Sequence, residues 1–226
     1  MRLDRYLSKS LGISRREAKR LILSGRVKVN GRVAKDPSVS VDSERVEVDG
    51  GKVEKPKEKV YIMLNKPPGF VSSTRDIEPT VLDLVNHPRT PELFPVGRLD
   101  KDVRGLLILT NDGWFAHVVT SPKHHVEKEY EAKVEGDVRN ALKLLEGVTL
   151  RDGHFAKALR VEIIDHEKVR VVIDEGKYHQ VKRMLAAVGL NVKDLVRVRI
   201  GRLTLDVEEG EWRELSEEEV RKVVER

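Results

Sequence analysis

Leu3, Leu7 and Leu11 recur at every fourth position with Tyr6 beside them, a spacing that predicts a short amphipathic helix over residues 2–11. Ser14 and Glu17 form a capping box for a second helix, whose apolar stripe runs through Ala18, Leu21 and Ile22 and closes at Gly25. The period then drops to two. Val27 and Val29 alternate with Arg26 and Lys28 up to Asn30-Gly31, a strong hairpin signal, and Val39, Val41, Val46 and Val48 extend the alternation. Two helices and a small sheet therefore make an N-terminal module over residues 1–49. Residues 50–59 carry Gly, Pro and charge with little to bury, and are expected to be a flexible linker before a second domain over residues 60–226.

The second domain opens on the apolar strand Val60–Leu64, which meets a rigid turn at Asn65-Lys66-Pro67-Pro68-Gly69. Its densest information lies at Gly97–Gly113. There Leu106–Leu109 is a fully apolar run between Gly105 and the Asn111-Asp112-Gly113 turn, so it reads as a strand buried on both faces. Asp100 sits in the approach to that strand, where its charge needs an answering cation. The acidic end reads as a strand finishing at Trp212 and a solvated closing helix after Ser216.

Net charge refines this picture through its placement. Of a formal +5, residues 1–35 hold eleven Lys or Arg against Asp4 and Glu17, whereas residues 206–226 hold nine acids against four bases. The basic character is thus concentrated in the N-terminal module. Arg15, Arg16, Lys19 and Arg20 crowd one helix with like charges that repel at i,i+4, and Lys28 and Arg32 of the hairpin are expected to converge on the same surface. Phosphate supplies the missing counter-charge, which points to a nucleic acid.

Several chemistries are excluded or disfavoured. Cysteine is absent, so disulfides and thiolate nucleophiles are impossible, and no apolar stretch nears the roughly 20 residues of a membrane helix. An intracellular, cytoplasmic protein that works without a membrane is expected. No phosphate-cradling glycine motif and no paired-histidine metal spacing occurs, so neither a cofactor nor a metal is expected. The remaining polar density lies in residues 97–104, in Thr120–Tyr130 and in Gly176–Met184. Lys182 and Arg183 stand early in an apolar helical stretch where the helix dipole disfavours cations, a placement that an acid such as Asp100 explains.

Gly-Arg-Leu-Asp at 97–100, Gly105-Leu-Leu, Thr110-Asn-Asp-Gly113, Lys128-Glu-Tyr130 and Tyr178-His-Gln-Val-Lys-Arg-Met184 resemble the successive motifs of the ribosomal RNA pseudouridine synthases of the small-subunit uridine type. Ser14-Arg-Arg-Glu-Ala18 and Val27-Lys-Val-Asn-Gly31 resemble the α-L RNA-binding module. The resemblance runs along almost the whole chain in family order, and departs from it at Val103-Arg104. It implies an α+β chain: an α-L module, then a catalytic domain with a mixed, mainly antiparallel sheet flanked by helices.

The resemblance further implies an isomerase that converts a uridine of ribosomal RNA, or of a pre-ribosomal particle, to pseudouridine, acting as a monomer. It assigns the nucleophile to Asp100, attacking either ribose or base, and packs Tyr130 against a flipped-out uracil. Lys182 is the expected cationic partner of Asp100, with Arg183 the alternative, and Arg98 fills the space that the base leaves. His179 and Gln180 are expected to order their loop. Two rival readings stay open: an RNA-binding assembly factor without catalysis, and a glycosidase-like hydrolase using Asp100 with Asp102. Residues two apart on an extended segment point to opposite faces, which makes that carboxylate pair awkward.

Overall fold

A computed structural model describes residues 1–42, 44–56 and 59–225. The chain divides into two compact units, one of residues 1–59 with 86–92, the other of residues 60–85 with 93–226.

In the first unit α1 (Leu3–Leu11) and α2 (Arg15–Leu23) follow the leucine spacing, and Ser14 and Glu17 close the expected capping box. Gly12, left-handed at φ 66°, ends α1, and a Cβ there would lie 2.9 Å from Pro88. Strands β1 (Val27–Val29), β2 (Arg32–Val33), β3 (Val46–Val48) and β4 (Gly51–Val53) form an antiparallel sheet in the order β2-β1-β3-β4.

That last strand corrects the expected linker at 50–59. Asp49 and Gly50 are both left-handed, as a tight hairpin turn requires, and they fold Gly51–Val53 back on β3, where Val53 is buried. The Tyr6 hydroxyl donates to the Val53 carbonyl at 3.1 Å. Polar Lys52 and Glu54 hid this short edge strand; Lys57 and Glu58 lie outside the described residues. Segment 86–92 also belongs to this unit, with Glu92 accepting from Lys9 at 3.2 Å and from Arg89 at 2.7 Å.

The second unit is built on a mixed sheet. Its strands are β5 (Tyr61–Lys66), β6 (Phe94–Pro95), β7 (Arg104–Thr110), β8 (Lys128–Glu135), β11 (Arg160–Ile163), β12 (Lys168–Ile173), β13 (Asn191–Ile200), β14 (Leu203–Thr204) and β15 (Trp212–Glu214); β9 (Val148–Thr149) and β10 (Phe155–Ala156) pair separately. The main order is β11-β12-β8-β13-β7-β5-β15, antiparallel throughout except for the parallel pair β13–β7. Three helices, α3 (Gly113–Thr120), α4 (Gln180–Ala187) and α5 (Glu217–Val224), accompany the sheet. Trp212 begins the last strand and does not end one, because it pairs with Leu64 of β5.

The expectation of a strand buried on both faces holds for β7. Leu107 and Leu109 enter one core with Val181, Met184 and Leu185 of α4, while Leu106 and Ile108 enter a second core with Phe115 of α3 and Val223 of α5. Alternation along one strand thus fills both layers, which is why no polar residue interrupts the run. Val223 also makes the closing helix less solvated than expected.

Candidate functional site

Two clamps hold the loop that carries Asp100. On one side the Ser72 hydroxyl donates to the Leu99 carbonyl at 2.8 Å and accepts from the Leu99 N–H at 3.0 Å. On the other, Lys66 at the end of β5 is fully buried, and its ammonium donates to the carbonyls of Pro67, Lys101 and Val103 at 3.1, 3.1 and 2.8 Å. Burial pushes the Lys66 ammonium down to about 8, against the opposing pull of Asp102 and Asp100. Leu99 and Val103 pack into the core on either side of Asp100, so the carboxylate stands on an anchored turn.

Gly105 brings the next strand close. It sits at φ +106°, and a Cβ there would lie 2.3 Å from the Arg197 carbonyl oxygen. Only a glycine lets β7 and β13 approach in parallel at this register, Arg197 opposite Gly105. Arg197 in turn lies across from Tyr130 on β8.

The result is a cavity of ≈ 120 Å³ whose lining includes Arg98, Asp100, Lys128, Tyr130, Lys182 and Arg197, with His179 and Ile173 among its other wall residues. Drug-sized sites run roughly 300–1,000 Å³, so this one suits a single small ring. Asp100 Oδ1 is 3.2 Å from His179 Nε2, and its Oδ2 is 3.8 Å from Lys182 Nζ. Lys182 makes its shorter contacts to Asp102, at 2.8 and 2.7 Å, and these hold the Asp102 carboxyl below its ordinary range. Asp102 is three-quarters exposed and does not border the cavity, whereas the Asp100 side chain is only 25% exposed.

Four of the expected residues, Arg98, Asp100, Tyr130 and Lys182, therefore come together. Arg183 does not join them: one residue further round α4, it pairs with Asp152 at 2.7 Å. Gln180 orders its loop as expected, accepting from the Lys177 N–H and donating to Glu175. His179 does more, since its left-handed backbone at φ 48° begins α4 and its ring both meets Asp100 and stacks on Tyr178 at 3.7 Å. Val103-Arg104 is explained by the fold: Val103 fills core space, and Arg104 donates to Asp194 and Glu209.

Sequence reasoning missed Lys66, Lys128 and Arg197. Lys128 carried a usable signal, because two residues on a strand separated by one share a face, and Tyr130 was already marked. Lys66 and Arg197 reach the site through pairing with β7, which local patterns do not disclose.

In the first unit, Arg16, Lys19, Arg20, Lys28 and Arg32 are exposed, and no described carboxylate lies within ion-pair distance of them. Arg15 differs. It donates to the fully buried Asp4 at 3.1 and 3.0 Å, so its guanidinium is a structural counter-charge. Lys28 and Arg32 do not converge either: the two-residue turn pairs Lys28 with Val33 and Val29 with Arg32, which puts the two cations on opposite faces of the hairpin. No group of three potential metal-ligating acids and histidines occurs among the described residues, and none of their helices is long and apolar enough to cross a membrane.

The sequence and fold find their counterparts among known proteins. Residues 60–187 match the family model described as RNA pseudouridylate synthase, and residues 1–44 match the S4 domain, which defines an RNA-modifying isomerase joined to an RNA-binding module. The chain belongs to the RNA pseudouridylate synthase family. It is 47% identical over 230 residues to an uncharacterised RNA pseudouridine synthase of Aquifex aeolicus, covering 99% of this chain and 96% of that one. It is 42% identical over 231 residues to the ribosomal small subunit pseudouridine synthase A of Escherichia coli, covering 99% and 100%. A crystal structure of a pseudouridylate synthase superposes with a TM-score of 0.70 at 38% identity, over 99% of this chain and all of the other.

Proposed function

We propose that the protein isomerises a uridine of ribosomal RNA to pseudouridine in the cavity at Asp100. The observation that carries this reading is the clamped Asp100 carboxylate at the edge of a base-sized cavity whose wall is Tyr130. The reaction breaks the bond between uracil N1 and ribose C1′, turns the base and joins C5 to C1′. The C5 proton is lost and N1 gains one, so nothing is exchanged with a cofactor.

Asp100 is the nucleophile, with His179 Nε2 3.2 Å and Lys182 Nζ 3.8 Å from its carboxylate oxygens. Tyr130 packs against the uracil, which must leave its stack to reach the carboxylate at a cost of a few kcal/mol, and exposed Arg98 takes the space it leaves. Arg16, Lys19 and Arg20 of α2 grip the RNA backbone and so choose the folded site. The relatives named for the small ribosomal subunit support ribosomal RNA as the substrate. A hydrolase using Asp100 and Asp102 is disfavoured because Asp102 faces Lys182 and solvent.

The test is Asp100→Asn on small-subunit ribosomal RNA, read by primer extension after carbodiimide treatment and by filter binding. The expected outcome is no carbodiimide stop at the target uridine, with RNA affinity within about twofold of the unaltered protein, since one exposed-edge charge adds little to a phosphate-dominated interface. Retained pseudouridine refutes the role of Asp100, and RNA cleavage would restore the hydrolase reading.

A further inference from the structure

Lys128 and Arg197 are buried cations that the mechanism above leaves without a task. Along β8 the buried residues are Lys128, Tyr130, Ala132 and Val134, so Lys128 shares the face of Tyr130. Arg197 lies directly across from Tyr130 on β13, and all three border the cavity that contains Asp100. Lys128 is 6% exposed and Arg197 4%. Such residues are almost never this buried unless paired.

Neither is paired with an acid. Arg197 Nε donates to the Leu106 carbonyl at 2.8 Å, but its Nη2 is buried with no hydrogen-bond partner. The Lys128 ammonium has no ion pair or hydrogen bond with a described residue. Burial and the charge of Arg197 push the Lys128 ammonium down to about 8, and Asp174 and Glu175 act on it in the opposite direction only through their charge. Arg199, two positions along the same strand, shows the alternative: it donates to Glu129 and Glu127 at 2.8 and 3.0 Å. The chain thus neutralises one strand arginine fully and leaves the other, with a lysine beside it, on a cavity wall. A purely structural role accounts for Arg197 Nε and for nothing else in the pair.

We propose that Lys128 and Arg197 form a cationic seat for the carbonyl oxygens of the target uracil, holding the negative charge that the base acquires when its bond to ribose breaks. This rests on the reading that the Asp100 cavity is where uridine isomerises. The N1–C1′ electron pair departs with the base and spreads over N1, O2 and O4. After the base turns, the C5 carbon supplies the pair for the new C–C bond, the C5 proton leaves and N1 takes one up. Lys128 and Arg197 stay protonated throughout, so they act as fixed charges in a water-poor site. The seat also favours a base with two carbonyl oxygens over cytosine, whose amino group would face a cation.

The experiment compares single-turnover breakage of the N1–C1′ bond, read as loss of the target nucleoside from digests of small-subunit ribosomal RNA transcribed with uridine or with 5-fluorouridine, whose base is the better anion and whose C5 keeps its fluorine in place of the proton that uridine loses. Lys128→Met should bind the uridine RNA as the unaltered protein does, and convert it about 100-fold more slowly. On 5-fluorouridine RNA that loss should shrink by about tenfold, because a base that carries its own charge needs the seat less. Lys128→Arg should keep most of the rate. Lys128→Gln carries the same comparison if the methionine variant fails to fold. A rate unchanged by loss of the charge, or an equal loss on both RNAs, overturns the seat. Absence of pseudouridine with the unaltered protein refutes the proposed function instead.

Discussion

Replacing Lys66 by methionine removes a buried charge and, with it, the clamp on the Asp100 loop. Two opposing effects set the magnitude. Lowering of the ammonium from 10.5 to about 8 corresponds to about 3 kcal/mol against the charged form at neutral pH. Three hydrogen bonds from a charged donor contribute about 1.5–3 kcal/mol each and outweigh it. Lys66→Met forfeits those bonds, leaves three carbonyls short of a donor and escapes the burial penalty, for a net loss of about 2–5 kcal/mol. In a unit of this size each kcal/mol moves the melting temperature by about 2–4 °C, so calorimetry should show a drop of about 4–20 °C at pH 7. The pH dependence is the sharper readout. Because the folded lysine titrates near 8 and the unfolded one near 10.5, the unfolded state binds more protons between those values, and this group's contribution to stability rises with pH across the window. Methionine has no such titration. The gap in stability between the two proteins should therefore widen from pH 8 to 10.5, and a gap that stays flat or narrows refutes a buried ammonium at this position.

Two further outcomes follow from the first unit and from the sheet. Arg16→Ala with Lys19→Ala and Arg20→Ala should weaken RNA binding and flatten its dependence on log salt by about 0.7 per lost phosphate contact, so roughly 2 for the triple variant; filter binding across a salt series checks this, and an unchanged slope removes α2 from the interface. Gly105→Ala should destabilise the second unit by about 3–5 kcal/mol, measured by denaturant unfolding, since the new Cβ would meet the Arg197 backbone. Near-normal stability would show that the parallel pair β7–β13 tolerates separation.

The elements visible in the sequence are those whose causes are local. Ser14 with Glu17, the Asn30-Gly31 turn and the apolar run Leu106–Leu109 each state their structure within a few residues, and each is found in place. Errors arise where a local rule was silent. Gly51–Val53 is too short and too polar to announce a strand, and the opposite facing of Lys28 and Arg32 follows from a cross-strand register that counting charges does not supply.

The site divides along the same line, and this explains which half of it was readable. Asp100, Tyr130 and Lys182 stand in motifs whose polar density is unusual, so they can be marked one at a time. Lys66 closes an apolar strand, and Lys128 and Arg197 stand in strands among other charged residues, so each looks like part of a solvated face until the pairing is known. Pairing of β5 with β7 carries the Lys66 ammonium to the carbonyls of residues 101 and 103, and pairing of β13 with both β7 and β8 brings Arg197 to Tyr130. Charges acquire their chemistry here from what the sheet places around them. The acid at 100 is held by one buried lysine that never faces the cavity, and the cavity is charged by another that does. Burial pushes both ammoniums down to about 8, so burial alone cannot tell clamp from seat; the hydrogen bonds do, three from the Lys66 ammonium and none from that of Lys128 to a described residue.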